Sequence, residues 1–95
     1  MSEQKANPFD KKLHWKCNHF SELTKEELHQ CMALRQEVFI LEQRCFYLDA
    51  DHFDIDAYHL RVLEENRKHT KLIAYLRVYF EQASWHIGRV LVIKE

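Results

Sequence analysis

One glycine and one proline stand in the 95 residues of this chain. At an average usage of about 7%, a chain of this length would carry about six or seven glycines. Tight turns, phosphate-cradling loops and helix C-caps use glycine's freedom at positive φ. The scarcity therefore implies that a glycine-using part of a fold lies outside this sequence. It also excludes motifs: with Gly88 alone, neither a G-x-S-x-G elbow nor a Walker loop can be written. No apolar run approaches the roughly 20 residues that span a bilayer, and "MSEQKANPFDKK" lacks the apolar centre of a signal peptide. Residues 1–12 read as a polar lead-in. An excess of either charge is lacking too. Fourteen Lys and Arg against fifteen Asp and Glu leave a net charge of −1, which supplies no basic field for nucleic acid.

Three cysteines, Cys17, Cys31 and Cys45, cannot all pair within one chain, and none forms a CxxC. Reduced thiols and a cytoplasmic location are the expectation. Hydrophobic residues at 46% and aromatics at 13% are enough for a packed core in one domain over residues 1–95.

The order of elements follows from periodicity and caps. "LHWKCNHF" (13–20) alternates as a short strand. In "LTKEEL", Thr24 and Glu27 have the spacing of a capping box, with Leu23 and Leu28 at the staple positions, so a helix runs from about Lys25 to Glu42. Its apolar stripe is Leu28, Cys31, Met32, Val38 and Phe39, with Leu34 and Leu41 alongside. Arg35 and Glu42 fall on the same stripe and should be shielded and hydrogen-bonded, because an unpaired buried charge is costly. "QRCFYLDADHFDID" (43–56) is acidic, and its D-x-D start resembles a calcium loop. Asp54 and Leu60 stand where an EF-hand needs glycine and glutamate, which rejects that reading. A solvated loop with a short helical turn is expected there. "AYHLRVLEE", "KLIAYLRVYFEQ" and "WHIGRVLVIKE" then alternate as three strands joined by short turns, an antiparallel meander. Glycine within the last strand marks a bulge or a close approach of another backbone.

Other chemistry finds little footing. His14, Cys17 and His19 cluster in sequence, yet alternation turns His14 away from Cys17 and no fourth ligand is evident. Cys45 near His52 is the one thiol with a base close in sequence, and ordinary thiols are the commoner case.

"LRQEVFILEQRCFYLDADHFD", "AYHLRVL", "LIAYLRV" and "IGRVLV" together resemble the ElaA branch of the GNAT superfamily of acyl-CoA N-acyltransferases. The residues that carry the resemblance include Arg35, Val38, Phe39, Glu42, Gln43, Cys45, Tyr47, Asp49, Asp51, Asp54, His59, Tyr75, Arg77, Gly88, Arg89, Val90 and Val92. Phe46 and His52 depart from the pattern, which has proline and glycine there. The resemblance implies an α+β fold, the N-terminal half of a GNAT domain in the order β-α-(α)-β-β-β. It further implies an acetyl group passing from acetyl-CoA to an amine whose identity the residues leave open. The coenzyme's pantetheine arm would pair with the backbone of Val90, Leu91 and Val92. Phe39, Glu42 and Gln43 would border the acceptor, and His86 stands where some members keep a catalytic glutamate. The family continues past this strand with a loop of pattern [QR]-x-x-G-x-[GA] and a helix N-terminus that hold the pyrophosphate. This sequence ends at Lys94-Glu95, so the resemblance implies a truncated half, and the alternative to an enzyme is a non-catalytic half-domain that acts by association. No nucleic acid, membrane or metal partner is expected. A homo-oligomer joined through the terminal strand, residues 85 to 95, is expected.

Overall fold

The computed structural model of the protein describes residues 11–94. Most of the polar lead-in lies outside them, and its last residue, Lys12, already opens the first strand. The chain runs β1 (Lys12–His19), a 3₁₀ turn (Phe20–Glu22), α1 (Lys25–Arg35), a π-register segment (Gln36–Glu42), α2 (Phe53–Asp56), β2 (Tyr58–Glu65), β3 (Thr70–Glu81) and β4 (Ser84–Val92). The strands form one antiparallel sheet in the order β1-β2-β3-β4, the expected α+β meander.

The capping box forms as its spacing dictates. Thr24 Oγ1 accepts from the Glu27 N–H at 3.0 Å, and Glu27 Oε1 accepts from the Thr24 N–H at 2.9 Å, which satisfies two orphan donors at once. The helix spans the expected residues, but its register changes after Arg35. The Gln43 N–H reaches back five residues to the Val38 carbonyl at 3.0 Å, the mark of a π turn. A wider turn takes an extra residue, so the seven-residue step from Arg35 no longer returns to the same face. Arg35 is fully buried as its stripe position requires, whereas Glu42 is exposed. That corrects the expectation that both would be shielded. Arg44 then ends the helix at φ 57°.

The helical layer lies on one face of the sheet. Cys31, Val38 and Phe39 pack there against Tyr75 and Leu91, with Leu34 and Leu72 at the margin. A bulge in β3 opposite Val62 and Leu63 lets Leu72 join that side out of strict alternation. His59, Arg61 and Arg77 are buried on the same face. The other face carries Leu13, Trp15, Phe80, Trp85, Ile87, Val90 and Val92, all exposed, around a floor of Leu60, Val62, Ala74 and Leu76. Among the described residues no element covers it. The sheet is thus inverted relative to simple burial: its charged side is closed and its apolar side open.

Glycine scarcity also takes a different meaning here. Positive φ occurs at Arg44, Gln82, Ala83 and Arg89, and Gly88 has none. Positions suited to glycine are present in this fold and are filled by other residues, so the scarcity does not locate a missing part.

Candidate functional site

Three arginines and three aspartates close a ring on the helix side of β3 and β4. Arg35, the last residue of α1, donates from Nε to Asp49 Oδ2 at 3.0 Å and from Nη1 to Asp54 Oδ1 at 2.7 Å. Arg77 on β3 donates from Nη1 to Asp54 Oδ1 at 2.7 Å and holds Asp51 through two bonds of 2.6 and 2.9 Å. Arg89 on β4 donates from Nε to Asp49 Oδ1 at 2.9 Å and from Nη2 to Asp51 Oδ2 at 3.3 Å. Each aspartate bridges two arginines. Arg35 and Arg89 both also donate to the Asp49 carbonyl, at 2.8 Å each, so the acidic segment is gripped by its backbone as well. Matched charges in planar, multidentate geometry are what permit arginine and aspartate to be buried together.

The same electrostatics shift the carboxyls. Burial would push the Asp54 carboxyl up, but bonds from Arg35 and Arg77 outweigh it and hold Asp54 below the usual range. Arg77's hydrogen bonds hold Asp51 low as well. Burial works against the Arg35 and Arg77 cations, and the aspartates more than restore them. The acidic segment is therefore not the solvated loop expected, although its short helical turn is present as α2. Asp49 and Asp54 are buried.

A neutral relay extends inward from the ring. His59, fully buried, places Nε2 at 2.9 Å from the Asp54 carbonyl and Nδ1 at 2.6 Å from Tyr75 Oη. A carbonyl only accepts, so Nε2 carries the proton and Nδ1 accepts from the tyrosine. Tyr75 Oη in turn accepts from Arg35 Nη1 at 3.3 Å. Desolvation depresses the His59 pKa and raises that of Tyr75, which keeps both uncharged.

The ring ends on a bulge in β4. Tyr75 pairs with Leu91 and Arg77 with Gly88, so Arg89 and Val90 together oppose Leu76. Arg89 takes φ 53° there, a strained conformation for a residue with a Cβ. The expected bulge beside Gly88 is present, but the strain falls on Arg89. A Cβ on Gly88 would meet Arg77 Nε at 3.8 Å, an ordinary contact. Beyond the bulge, the Ile93 N–H bonds the Ile73 carbonyl at 2.9 Å. Antiparallel pairs alternate, so Val92 turns its N–H and C=O away from β3 to the open edge.

The structure distributes the expected site residues widely. Leu91 is buried against Phe39 and Tyr75 in the core, while the Val90 and Val92 side chains emerge on the open face. Phe39 is itself a core residue. Glu42 and Gln43 are exposed at the helix end, where Glu42 and Glu37 face Lys71 and Lys94 across a groove of about 430 Å³. His86 sits at the far end of β4, stacked on Tyr79 at 5.2 Å, with Nε2 at 3.2 Å from the Glu81 carbonyl and 3.3 Å from Ser84 Oγ. Among the described residues no group of three or more His, Cys, Asp or Glu could hold a metal. His14 pairs with Glu65 at 2.7 Å and His19 Nδ1 accepts from the Ser21 N–H. Cys45 Sγ has the Gln43 carbonyl as its partner, at 3.9 Å, and burial pushes the Cys31 thiol up to about 11. Among the described residues no helix is long and apolar enough to cross a membrane.

Residue patterning missed Arg77 and Arg89 as partners of the aspartates. The available signal was that arginines on adjacent strands, with no acidic residue beside them, share a chain with four aspartates between 49 and 56.

No protein-family model matches the chain. It is 38% identical over 85 residues to UPF0039 protein sll0451 of Synechocystis sp., covering 86% of this chain and 53% of that protein. It is 34% identical over 83 residues to Protein ElaA of Escherichia coli, covering 84% and 53%. Among solved structures, an acyl-CoA N-acyltransferase from Pseudomonas aeruginosa superposes with a TM-score of 0.74 at 36% identity, over 86% of this chain and 57% of that one. Escherichia coli ElaA gives 0.70 at 32% identity, over 85% and 55%. The chain spans about half the length of these proteins.

Proposed function

This chain carries an ElaA-like part of the acyl-CoA N-acyltransferase (GNAT) fold, and from that premise we propose that it supplies one half of a site for moving an acetyl group from acetyl-CoA to an amine. The observation that carries the reading is the edge of β4 beyond the bulge. Val92 offers an unpaired N–H and C=O there, and the amide-bearing pantetheine arm can add to such an edge as a strand does. The ring anchors Arg89 and so fixes where the strand resumes after the bulge.

The coenzyme supplies an activated thioester, and the chain's own residues supply position. Glu42 and Glu37 would receive a cationic amine before it loses its proton in competition with Lys71 and Lys94 across the groove, with Gln43 exposed beside Glu42 at the helix end and Phe39 holding the helix to the sheet beneath. His86 is the candidate proton acceptor, an imidazole held at the far end of β4 against Tyr79. The thiols agree with a cytoplasmic setting. These 95 residues do not contain the pattern [QR]-x-x-G-x-[GA], so by themselves they should hold acetyl-CoA weakly. A second reading is favoured by the open apolar face: a non-catalytic half-domain that works by association.

Titration of isotopically labelled protein with acetyl-CoA and with pantetheine tests the first reading. The amides of Val90, Leu91 and Val92 should shift at millimolar ligand while those of β1 stay still. Shifts confined to other strands, or none at all, would remove β4 as the coenzyme edge. A micromolar dissociation constant for acetyl-CoA by calorimetry would contradict the expected weakness and point to a pyrophosphate site elsewhere.

A further inference from the structure

We propose that the β3–β4 hairpin fixes the tautomer of His86, so that Nδ1 is the atom that accepts the amine's proton, and that Tyr79 positions the ring for it. The proposal rests on the reading of His86 as the proton acceptor.

Two oxygens flank Nε2. The Glu81 carbonyl lies 3.2 Å away and Ser84 Oγ 3.3 Å away, and Ser84 Oγ stands 3.4 Å from that same carbonyl. A carbonyl oxygen only accepts, so a lone pair on Nε2 would face the lone pairs of Glu81. Every contact pairs a donor with an acceptor only when Nε2 carries the proton and shares it between the carbonyl and Ser84 Oγ. The serine hydroxyl then donates to the carbonyl. Both hydrogen bonds that the ring makes among the described residues are at Nε2, so Nδ1 keeps a free lone pair. The tight turn builds this arrangement. Glu81 pairs with Ser84 across the left-handed Gln82 and Ala83, which returns the chain so that the carbonyl meets a side chain five residues later.

Tyr79 holds the ring in plane. It pairs with His86 across the two strands, and their rings stack at 5.2 Å and 17°. Phe53, the first residue of α2, stacks on Tyr79 at 4.4 Å and 14°. The Phe53 N–H donates to Asp51 Oδ1 at 3.1 Å, so the column of rings is rooted in the arginine–aspartate ring.

This setting favours the charged product of the transfer. As an ammonium group gives up its proton, the N–H bond breaks and its electron pair stays on nitrogen as the attacking lone pair. The proton joins Nδ1. The imidazolium still donates from Nε2, now through a stronger, charge-assisted bond. It also lies within the roughly 6 Å at which a cation gains from an aromatic face. Both interactions grow as charge develops, which is how a positioned base lowers a barrier. The opposite tautomer would offer only Nε2, which the hairpin already encloses.

Imidazole nitrogen resonances of the nitrogen-15-labelled chain read the tautomer with neither coenzyme nor amine present. At pH 8, above the ordinary histidine range, Nδ1 and Nε2 of His86, assigned with His86→Gln, should lie far apart, with the proton on Nε2. His69, exposed between β2 and β3, is the internal reference for a ring that averages both tautomers. Tyr79→Leu should narrow the His86 separation toward that of His69, while Tyr79→Phe should preserve it, with circular dichroism confirming that both fold. A proton on Nδ1, or a wild-type separation no wider than that of His69, would overturn the proposal whether or not acetyl-CoA binds. An unchanged separation in folded Tyr79→Leu would overturn the part given to the tyrosine. Failure of the acetyl-transfer reading registers elsewhere, in the amides of Val90, Leu91 and Val92.

Discussion

Arg89 and Asp49 stand forty residues apart in sequence, and Nε of one meets Oδ1 of the other at 2.9 Å. Arg89 holds φ 53° as it does so. A left-handed non-glycine residue in mid-strand costs on the order of 1–3 kcal/mol and persists only where its surroundings over-determine it. Asp49 and Asp51 supply that determination, with Arg35 and Arg77 holding the aspartates in place. Helix, acidic segment, β3 and β4 are thereby tied at one point.

Breaking the ring should therefore cost more than any surface change. Asp49→Asn keeps the shape, removes the charge, and leaves Arg35 buried and short of a carboxylate. Removing one member of a buried ion pair costs about 3–5 kcal/mol. Glu42→Ala, at an exposed site, should fall within about 0.5 kcal/mol. Urea unfolding at constant slope distinguishes them, and a loss under about 1 kcal/mol for Asp49→Asn would mean that the ring does not hold these elements together.

What patterning could reach follows from distance along the chain. The start of α1 was legible because Thr24 and Glu27 cap each other within three residues. The meander was legible because short turns leave adjacent strands little choice but to pair. Arg35 on an apolar stripe announced a buried partner. Glu42 on the same stripe misled, because apolar spacing does not report a change of hydrogen-bond register within a helix. The aspartates looked solvated because Arg77 and Arg89, their partners, stand 23 to 40 residues away. Alternation on β3 separates two faces without saying which is closed, and here the charged one is.

Acid should unfold the protein in two stages. Burial depresses the His59 pKa, so the unfolded chain takes up this proton first, from about pH 6.5 downward, and stability declines until the folded imidazole also protonates. Asp51, Asp54 and Glu27 are likewise depressed, Glu27 chiefly by the Thr24 N–H. Their contribution is complete above the ordinary carboxylate pKa of about 4 and is lost as pH falls below it. Unfolding free energies measured from pH 7.5 to 3 should show both declines, and His59→Gln should flatten the upper one. A wild-type profile that is level between pH 6.5 and 5 would refute the role given to His59.

The thiols should separate by reactivity. Cys31 is fully buried with its pKa pushed up to about 11, and Cys17 is exposed. Because the thiolate is the reactive form, a disulfide reagent at pH 8 should modify Cys17 promptly and Cys31 only as the chain unfolds. Rapid modification of Cys31 in the native protein would show that the helix opens from the sheet far more readily than its packing implies.

The β3–β4 hairpin offers a prediction in the opposite direction, toward stability. Gln82 and Ala83 form its two-residue loop with φ 53° and 62°, the geometry of a type I′ turn, in which asparagine followed by glycine is favoured. A residue with a Cβ pays about 1–2 kcal/mol in the left-handed region, and glycine gives back about 0.5–1 kcal/mol through the freedom it adds to the unfolded chain. Ala83→Gly should therefore stabilise the protein by about 1 kcal/mol, with Gln82→Asn adding a few tenths, while Ala83→Val should destabilise it. The sole glycine should behave in reverse: Gly88 has no positive φ, and its added Cβ meets only an ordinary contact, so Gly88→Ala should change stability by no more than about 0.5 kcal/mol. Thermal unfolding of the single variants settles the pair, and a destabilising Ala83→Gly would mean that the loop does not hold its left-handed turn in solution.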